Sequence, residues 1–219
     1  DSHFNLFNSV KVAAEGRIRE VAIVFDTRIL RGNRSAKKCA HKIDAFWSPQ
    51  FPMIGEVGIE IKYFSYLPPS HLSNRKLILQ DQFDPHIVSL SLFPGFAPAI
   101  LDALLTSRLC HGIILRGFGL GNVNTENELL SIIKKATGQE IPVLLISSCP
   151  VGTTLLGLYD TGSKTVEAGA ISAKDMTLEC ATVKLMWALA KTRHLAEIRE
   201  IMAKNFAGET GSDMYEAVE

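Results

Sequence analysis

The chain has 219 residues, 47% of them hydrophobic and 21% charged, a globular composition able to bury one good core or two modest ones. Its 23 basic and 23 acidic residues cancel, so it carries no electrostatic footprint of a nucleic-acid or anionic-membrane binder, whereas small uncharged or zwitterionic ligands remain open. Cys39, Cys110, Cys149 and Cys180 are far apart with no C-x-x-C pair, which argues against a zinc ribbon or a thioredoxin-like motif and for free thiols in a reducing cytoplasm. Neither a signal peptide nor an apolar run of membrane-spanning length is apparent in these residues.

In chain order, Phe4 to Ala14 reads as a helix, with Phe4, Leu6 and Phe7 among polar positions. Residue 1 is Asp and the chain opens directly into this helix, so the expectation is that further chain precedes it. Val21 to Phe25 is short, β-branched and aromatic, the pattern of a buried strand. A basic stretch follows, Arg31-Gly32-Asn33-Arg34-Ser35-Ala36-Lys37-Lys38, running on to Asp44-Ala45-Phe46-Trp47-Ser48-Pro49. Beyond the carboxyl end of such a strand a ligand could bind, and the plainer alternative is a solvated basic loop. A second apolar alternation spans Val57 to Phe64. These few elements cannot cover both faces of a parallel sheet, so residues 1–66 read as the tail end of a larger domain. Residues 67–84, opened by the Pro/Ser-rich Leu67-Pro68-Pro69-Ser70, are the linker candidate.

From residue 85 to 219 strands and helices alternate. Strands are expected at Ile87–Phe93, Gly112–Arg116, Val143–Ser147 and, briefly, Ala168–Ile171; helices at Pro98–Ser107, Glu126–Thr137, Asp175–Ala190 and Leu195–Asn205. That order implies a parallel sheet covered on both faces. The fold class is therefore α/β: the end of a larger three-layer domain followed by a smaller domain with a parallel sheet.

Three constellations in this second part could carry chemistry. Gly117-Phe118-Gly119-Leu120-Gly121-Asn122 lies between a strand and a helix, but its spacing is G-x-G-x-G and no acidic residue ends the next strand, so a dinucleotide site is disfavoured. The glycines instead let backbone amides approach a small ligand or a neighbouring chain. Asn124 or Thr125 suits the N-cap of the following helix. Arg116 and Cys149 end successive strands of the alternation and could converge on one crevice, where an Arg fork suits a ligand carboxylate; the alternative is an internally paired Arg and an apolar Cys. His3, His41, His71, His86, His111 and His194 show no metal spacing, and no metal is assigned.

Arg31-Gly32-Asn33-Arg34, then Lys37, then Asp44-Ala45-Phe46-x-Ser48-Pro49 resembles the corresponding segment of the bacterial L-asparaginases, in particular the cytoplasmic type I enzymes. Further matches keep the same order: Phe4-Asn5-Leu6 with Asn8; Ile114-Leu115-Arg116 into Gly119-Leu120-Gly121-Asn122; Ser148-Cys149-Pro150 with Gly152; Ala168-Gly169 with Asp175-Met176-Thr177. The resemblance implies hydrolysis of L-asparagine to aspartate and ammonia, with no cofactor. It makes Lys37 the Lys of a Thr-Lys-Asp triad, the residue that takes the proton of a Thr nucleophile. It implies that Asn122 and Asn124 reach the substrate in a neighbouring subunit of a homodimer or homotetramer, and that Arg116 and Cys149 mark a regulatory asparagine site. Ala36 stands where some relatives carry Thr. The Thr-Gly-Gly-Thr and Asp-Gly-Thr-Asp segments that hold the family's catalytic Thr residues are not found in these 219 residues. A separate amino-terminal segment is thus a possible partner, and the isolated chain is expected to be inactive. Two other readings remain open: an asparaginase-like subunit of a tRNA-dependent amidotransferase, which the neutral charge disfavours, and a non-catalytic asparagine-binding or interaction module.

Overall fold

The computed structural model describes residues 2–64, 78–123, 128–156 and 160–211, with 160 and 161 described by their backbone alone. The chain divides into two units, Asp1–Gln80 with Phe206–Gly211, and Asp81–Asn205 with Ser212–Glu219.

The first unit begins with α1 (Ser2–Glu15), which buries Asn8 and Val12, four residues apart on one face. A hairpin follows, β1 (Ala22–Phe25) and β2 (Arg28–Arg31), paired antiparallel with Ala22 opposite Arg31. Its turn places Asp26 at φ 56°, a left-handed conformation that Asp tolerates. Two side chains of α1 hold this turn: Asn5 Oδ1 accepts from the Asp26 amide at 2.8 Å, and Asn8 Nδ2 donates to the Asp26 carbonyl at 3.4 Å. β5 (Gly55–Val57) and β6 (Ile61–Tyr63) complete a four-stranded sheet of order β1-β2-β5-β6, antiparallel throughout. Between β2 and β5 in sequence, β3 (Ala36–Lys37) pairs with β4 (Phe46–Trp47) as a separate ribbon. Val12, Ile29, Ile54 and Val57 form the core of the unit.

This corrects two expectations. Val21–Phe25 is not a buried strand opening onto the basic stretch: Val21 is 84% exposed, β1 is half-buried at a sheet edge, and the chain turns straight back. The Val57–Phe64 alternation is likewise the second limb of a hairpin and its turn, with Gly58 N donating to Glu60 O. The physical reason is that Asp26-Thr27 reverses the chain without the Gly that usually signals a hairpin.

The second unit carries a four-stranded parallel sheet of order β10-β9-β8-β7, from β7 (Ile87–Ser91), β8 (Gly112–Gly117), β9 (Val143–Ser147) and β10 (Ile171–Ser172). Side chains alternate across it. Ile113, Leu115, Val143 and Leu145 pack in one core with Leu101 and Leu105 of α2 (Ala99–Ser107) and Ile132 and Ile133 of α3 (Leu129–Gly138). Ile114, Leu144 and Ile146 pack in the other with Leu185 of α5 (Leu178–Lys191) and Ile198 of α6 (Leu195–Ala203). Burial on both faces is why these strands read as continuous apolar runs. The alternation expected from the sequence is present within a few residues at each boundary, with one addition, α4 (Asp160–Glu167). α5 starts later than expected because Thr177 is its N-cap, accepting from the Cys180 amide at 3.2 Å. Asn124 and Thr125, and most of the 67–84 linker, lie outside the described residues.

The last described residues rejoin the first unit. Phe206–Gly211 folds around the Glu209 carboxylate, which accepts from the amides of Phe206 (3.0 and 3.1 Å) and Ala207 (2.7 Å). Arg34, fully buried, donates from Nη1 to the Glu209 carbonyl at 2.6 Å and from Nη2 to the Gln50 carbonyl at 3.0 Å. Removing one partner of such a buried set leaves carbonyls unsatisfied at about 1–3 kcal/mol each. Arg34→Met is therefore expected to lower unfolding stability by roughly 2–4 kcal/mol, read as a fall in urea midpoint; a change under about 0.5 kcal/mol, the usual surface value, would contradict this account.

Candidate functional site

In the first unit, the four cations between Arg31 and Lys38 have different fates. Arg31 is clamped by Glu20, with Nε 2.5 Å from Oε2, and stacks 4.1 Å over the Phe51 ring. Its Nη1 and the Asn33 amide also reach the carbonyls of Gly208 and Ala207 at 3.5 and 2.9 Å. Arg34 is consumed by Glu209 and Gln50. Lys38 bridges Asp44 at 2.6 Å, and the same carboxylate meets Arg28 at 2.8 Å. The Lys38 hydrogen bond, with the nearby charges of Arg28, Lys38 and Lys42 outweighing desolvation, holds the Asp44 carboxyl below its usual value. Lys37 alone is left over. It is exposed on β3, and among the described residues its Nζ has no hydrogen bond or ion pair, facing only the Phe46 ring at 5.9 Å. The basic motif is therefore mostly structural: Arg31, Asn33 and Arg34 spend donors on the Phe206–Gly211 segment, and one presented amine remains.

In the second unit, β8 and β9 are neighbours and parallel, with Arg116 opposite Ile146 and Gly117 opposite Ser147. Arg116 thus stands at the carboxyl edge of the sheet, half-buried, with Nη1 donating to Ser91 Oγ of β7 at 3.3 Å. Cys149 lies just past the end of β9 and is exposed. The loop after Gly117 closes tightly: the amides of Phe118 and Asn122 each donate to the other's carbonyl at 2.8 Å. A Cβ on Gly117 would stand 2.7 Å from the Asn122 carbonyl oxygen, and Gly121, at φ 95°, would meet Thr154 Cγ2 at 2.5 Å. Only glycine fits either position. Asn122 is half-buried in this closure, and Asn124 lies outside the described residues.

Two residues not singled out from the sequence tie this edge together. Ser147 Oγ donates to the Gly119 carbonyl at 2.5 Å and accepts from the Cys149 amide at 2.9 Å, so one hydroxyl sets both the glycine loop and the Cys149 loop. Thr154, buried, accepts the Ser147 amide on its hydroxyl at 3.0 Å and takes Ser172 Oγ on its carbonyl at 2.8 Å. The available signal was Ser147's position at the end of an apolar strand, directly before the Cys149 turn.

At the opposite edge of the same sheet, Asp84 precedes β7 and is 7% exposed. Its Oδ1 meets His86 Nδ1 and its Oδ2 meets His111 Nδ1, both at 2.7 Å, and Arg193 also bonds Oδ2. Burial pushes this carboxyl up, but bonds from the His86 amide, both imidazoles and Arg193 outweigh it and hold Asp84 well below the usual carboxylate range. His3, His41 and His194 are exposed, His194 at the rim of the hollow in front of this cluster, and His71 lies outside the described residues.

Known proteins share this architecture. The chain matches the Glutaminase/Asparaginase C-terminal domain over residues 86–202 and the Asparaginase, N-terminal domain over residues 1–68. It belongs to the asparaginase family. L-asparaginase 1 of Escherichia coli K12 is 32% identical over 213 residues, which cover 97% of this chain and 62% of that protein. The thermostable L-asparaginase structure from Thermococcus kodakarensis superposes with a TM-score of 0.86 at 36% identity, over 94% of this chain and 62% of that one. A glutamyl-tRNA(Gln) amidotransferase subunit of Aeropyrum pernix is 34% identical over 95% of this chain and 50% of its own length. The chain thus spans less than two thirds of the length of these relatives.

The two loops share one hydroxyl, which generates a direct test. Ser147→Ala is expected to cost about 1–2 kcal/mol, the net worth of one or two hydrogen bonds. It should also speed amide hydrogen exchange at Gly121, Asn122 and Cys149 together. Exchange that rises in one loop alone would show that Ser147 does not couple them.

Proposed function

We propose that this chain forms part of a cytoplasmic amidohydrolase that converts L-asparagine to L-aspartate and ammonia. The reading is carried by Lys37. In a motif whose other cations are engaged by carboxylates and carbonyls, an exposed amine with no hydrogen bond or ion pair among the described residues is better suited to chemistry than to stability. By likeness to the family, Lys37 takes the proton of a Thr nucleophile supplied by further chain. Thr then attacks the side-chain amide, backbone donors hold the oxyanion, ammonia leaves, and water releases aspartate from the acyl intermediate.

The remaining roles follow in the same way. Asn122 and Asn124 are proposed to hold substrate in a neighbouring subunit, which a glycine loop exposed at Phe118 and Gly119 suits. Arg116 and Cys149 are proposed to receive a regulatory asparagine, its carboxylate on the Arg116 fork. Cross-subunit completion requires a homodimer or homotetramer. The exposed apolar side chains Phe4, Leu6, Phe7 and Val10 of α1 suit cover by additional chain.

In a protein that includes this chain and the Thr segments, Lys37→Met is expected to reduce ammonia release by roughly 100- to 10,000-fold, the usual contribution of a positioned proton acceptor. Urea stability should move by less than about 0.5 kcal/mol, as for an exposed side chain. Retained turnover would leave Lys37 a solvated surface cation. The 219 residues alone are expected to release no ammonia above background, and light scattering at micromolar concentration should give a dimer or tetramer; a monodisperse monomer would remove the cross-subunit role.

A second reading has its own support, since the amidotransferase protein of Aeropyrum pernix is as similar to this chain as the asparaginases are. In that case ammonia release would depend on charged tRNA and a partner protein rather than on free asparagine. Assays with and without those components separate the two.

A further inference from the structure

We propose that Asp84, His86 and His111 form a binding site for a single divalent cation of the zinc type, at the sheet edge opposite Arg116. One carboxylate and two imidazoles present donor atoms that all lie within 4.8 Å of one another. Zinc binds such nitrogen and oxygen donors at about 2.0–2.2 Å, which sets neighbouring ligands roughly 3.3 Å apart. The most widely separated pair needs to close by about 1.5 Å. The His86 and His111 side chains are 60% and 37% exposed, so their rings are free to make that adjustment.

The frame behind them is rigid. The Asp84 amide donates to the Met186 carbonyl at 3.0 Å, the His86 amide to Asp84 Oδ1 at 3.0 Å, and the His111 amide to the His86 carbonyl at 2.6 Å. The donors therefore sit immediately before two adjacent parallel strands, β7 and β8, and the residue between Asp84 and His86 is Pro85. The two imidazole rings already lie close together, tilted by 52° with centroids 4.8 Å apart.

An ion would take the Nδ1 lone pairs in place of the hydrogen bonds to the carboxylate, with each neutral imidazole carrying its proton on Nε2. Arg193 competes for Asp84 Oδ2, but its side chain is 52% exposed and can move outward or keep the second oxygen as an outer partner. The hollow in front is lined also by Asp81, Lys191 and His194, which leaves room for water to complete the coordination. The ligands lie 25 residues apart in sequence, as His86 and His111, which is why no metal spacing is legible there.

The test uses the metal-free full chain at pH 7.5 with Zn2+ alone, followed by calorimetry. One ion per chain is expected. His86→Ala and His111→Ala should each weaken binding about tenfold or more, while His41→Ala, remote in sequence and exposed, should leave it unchanged. X-ray absorption of the wild-type zinc complex should give imidazole and carboxylate donors without sulfur, a readout that stands even if a variant fails to fold. No saturable binding, sulfur in the coordination shell, or unchanged affinity in the double variant would overturn the site and leave the cluster a polar knot. Because none of these readouts involves asparagine turnover, failure here is separate from failure of the proposed activity.

Discussion

The second unit depends on one strand, β8, being buried on both faces. Ile113 and Leu115 fill the core beneath α2 and α3, and Ile114 fills the core beneath α5, each 0–1% exposed. Burying one such side chain is worth about 1.5–3 kcal/mol, and the same strand pairs with β7 from Gly112 to Arg116 and with β9 from Ile113 to Gly117. Its two ends are consequently fixed points. Arg116 and Gly117 leave it at the carboxyl edge and His111 enters it at the amino edge, so both polar clusters of the unit inherit their rigidity from one apolar element.

At the carboxyl edge that rigidity is passed on through hydroxyls rather than apolar contacts. Ser147 and Thr154 link β9, the glycine loop, the Cys149 turn and Ser172 of β10 in one connected set. Hydroxyls suit this task because each both donates and accepts. The glycines complete it by removing the Cβ atoms that would otherwise collide with Asn122 and Thr154.

The first unit is organised differently, around a buried charge. Arg34 donates to two backbone carbonyls, one of them 175 residues away. Burying a guanidinium is costly unless its donors find partners, and the Phe206–Gly211 segment supplies one of them. The same segment takes Asn33 and touches Arg31, which separates the engaged residues of the basic motif from Lys37, whose exposed amine faces the Phe46 ring.

By itself, the amino-acid sequence determined the α/β class, the parallel alternation from residue 87 onward and the family, because doubly buried strands and their helices leave long, regular apolar patterns that local reading detects. It also marked Lys37, Arg116, Asn122 and Cys149 as residues to watch, through motif order rather than geometry. Tertiary structure alone decided that Val21–Phe25 is an edge strand of an antiparallel hairpin, because a turn at Asp26 held by Asn5 and Asn8 carries no standard turn signal. It alone decided which basic residues are spent and which is presented, and it alone brought Asp84, His86, His111 and Arg193 together across as many as 109 residues. The physical reason is common to both: a hydrogen bond or ion pair between distant segments depends on where the backbone returns, and no local pattern of residue types records that.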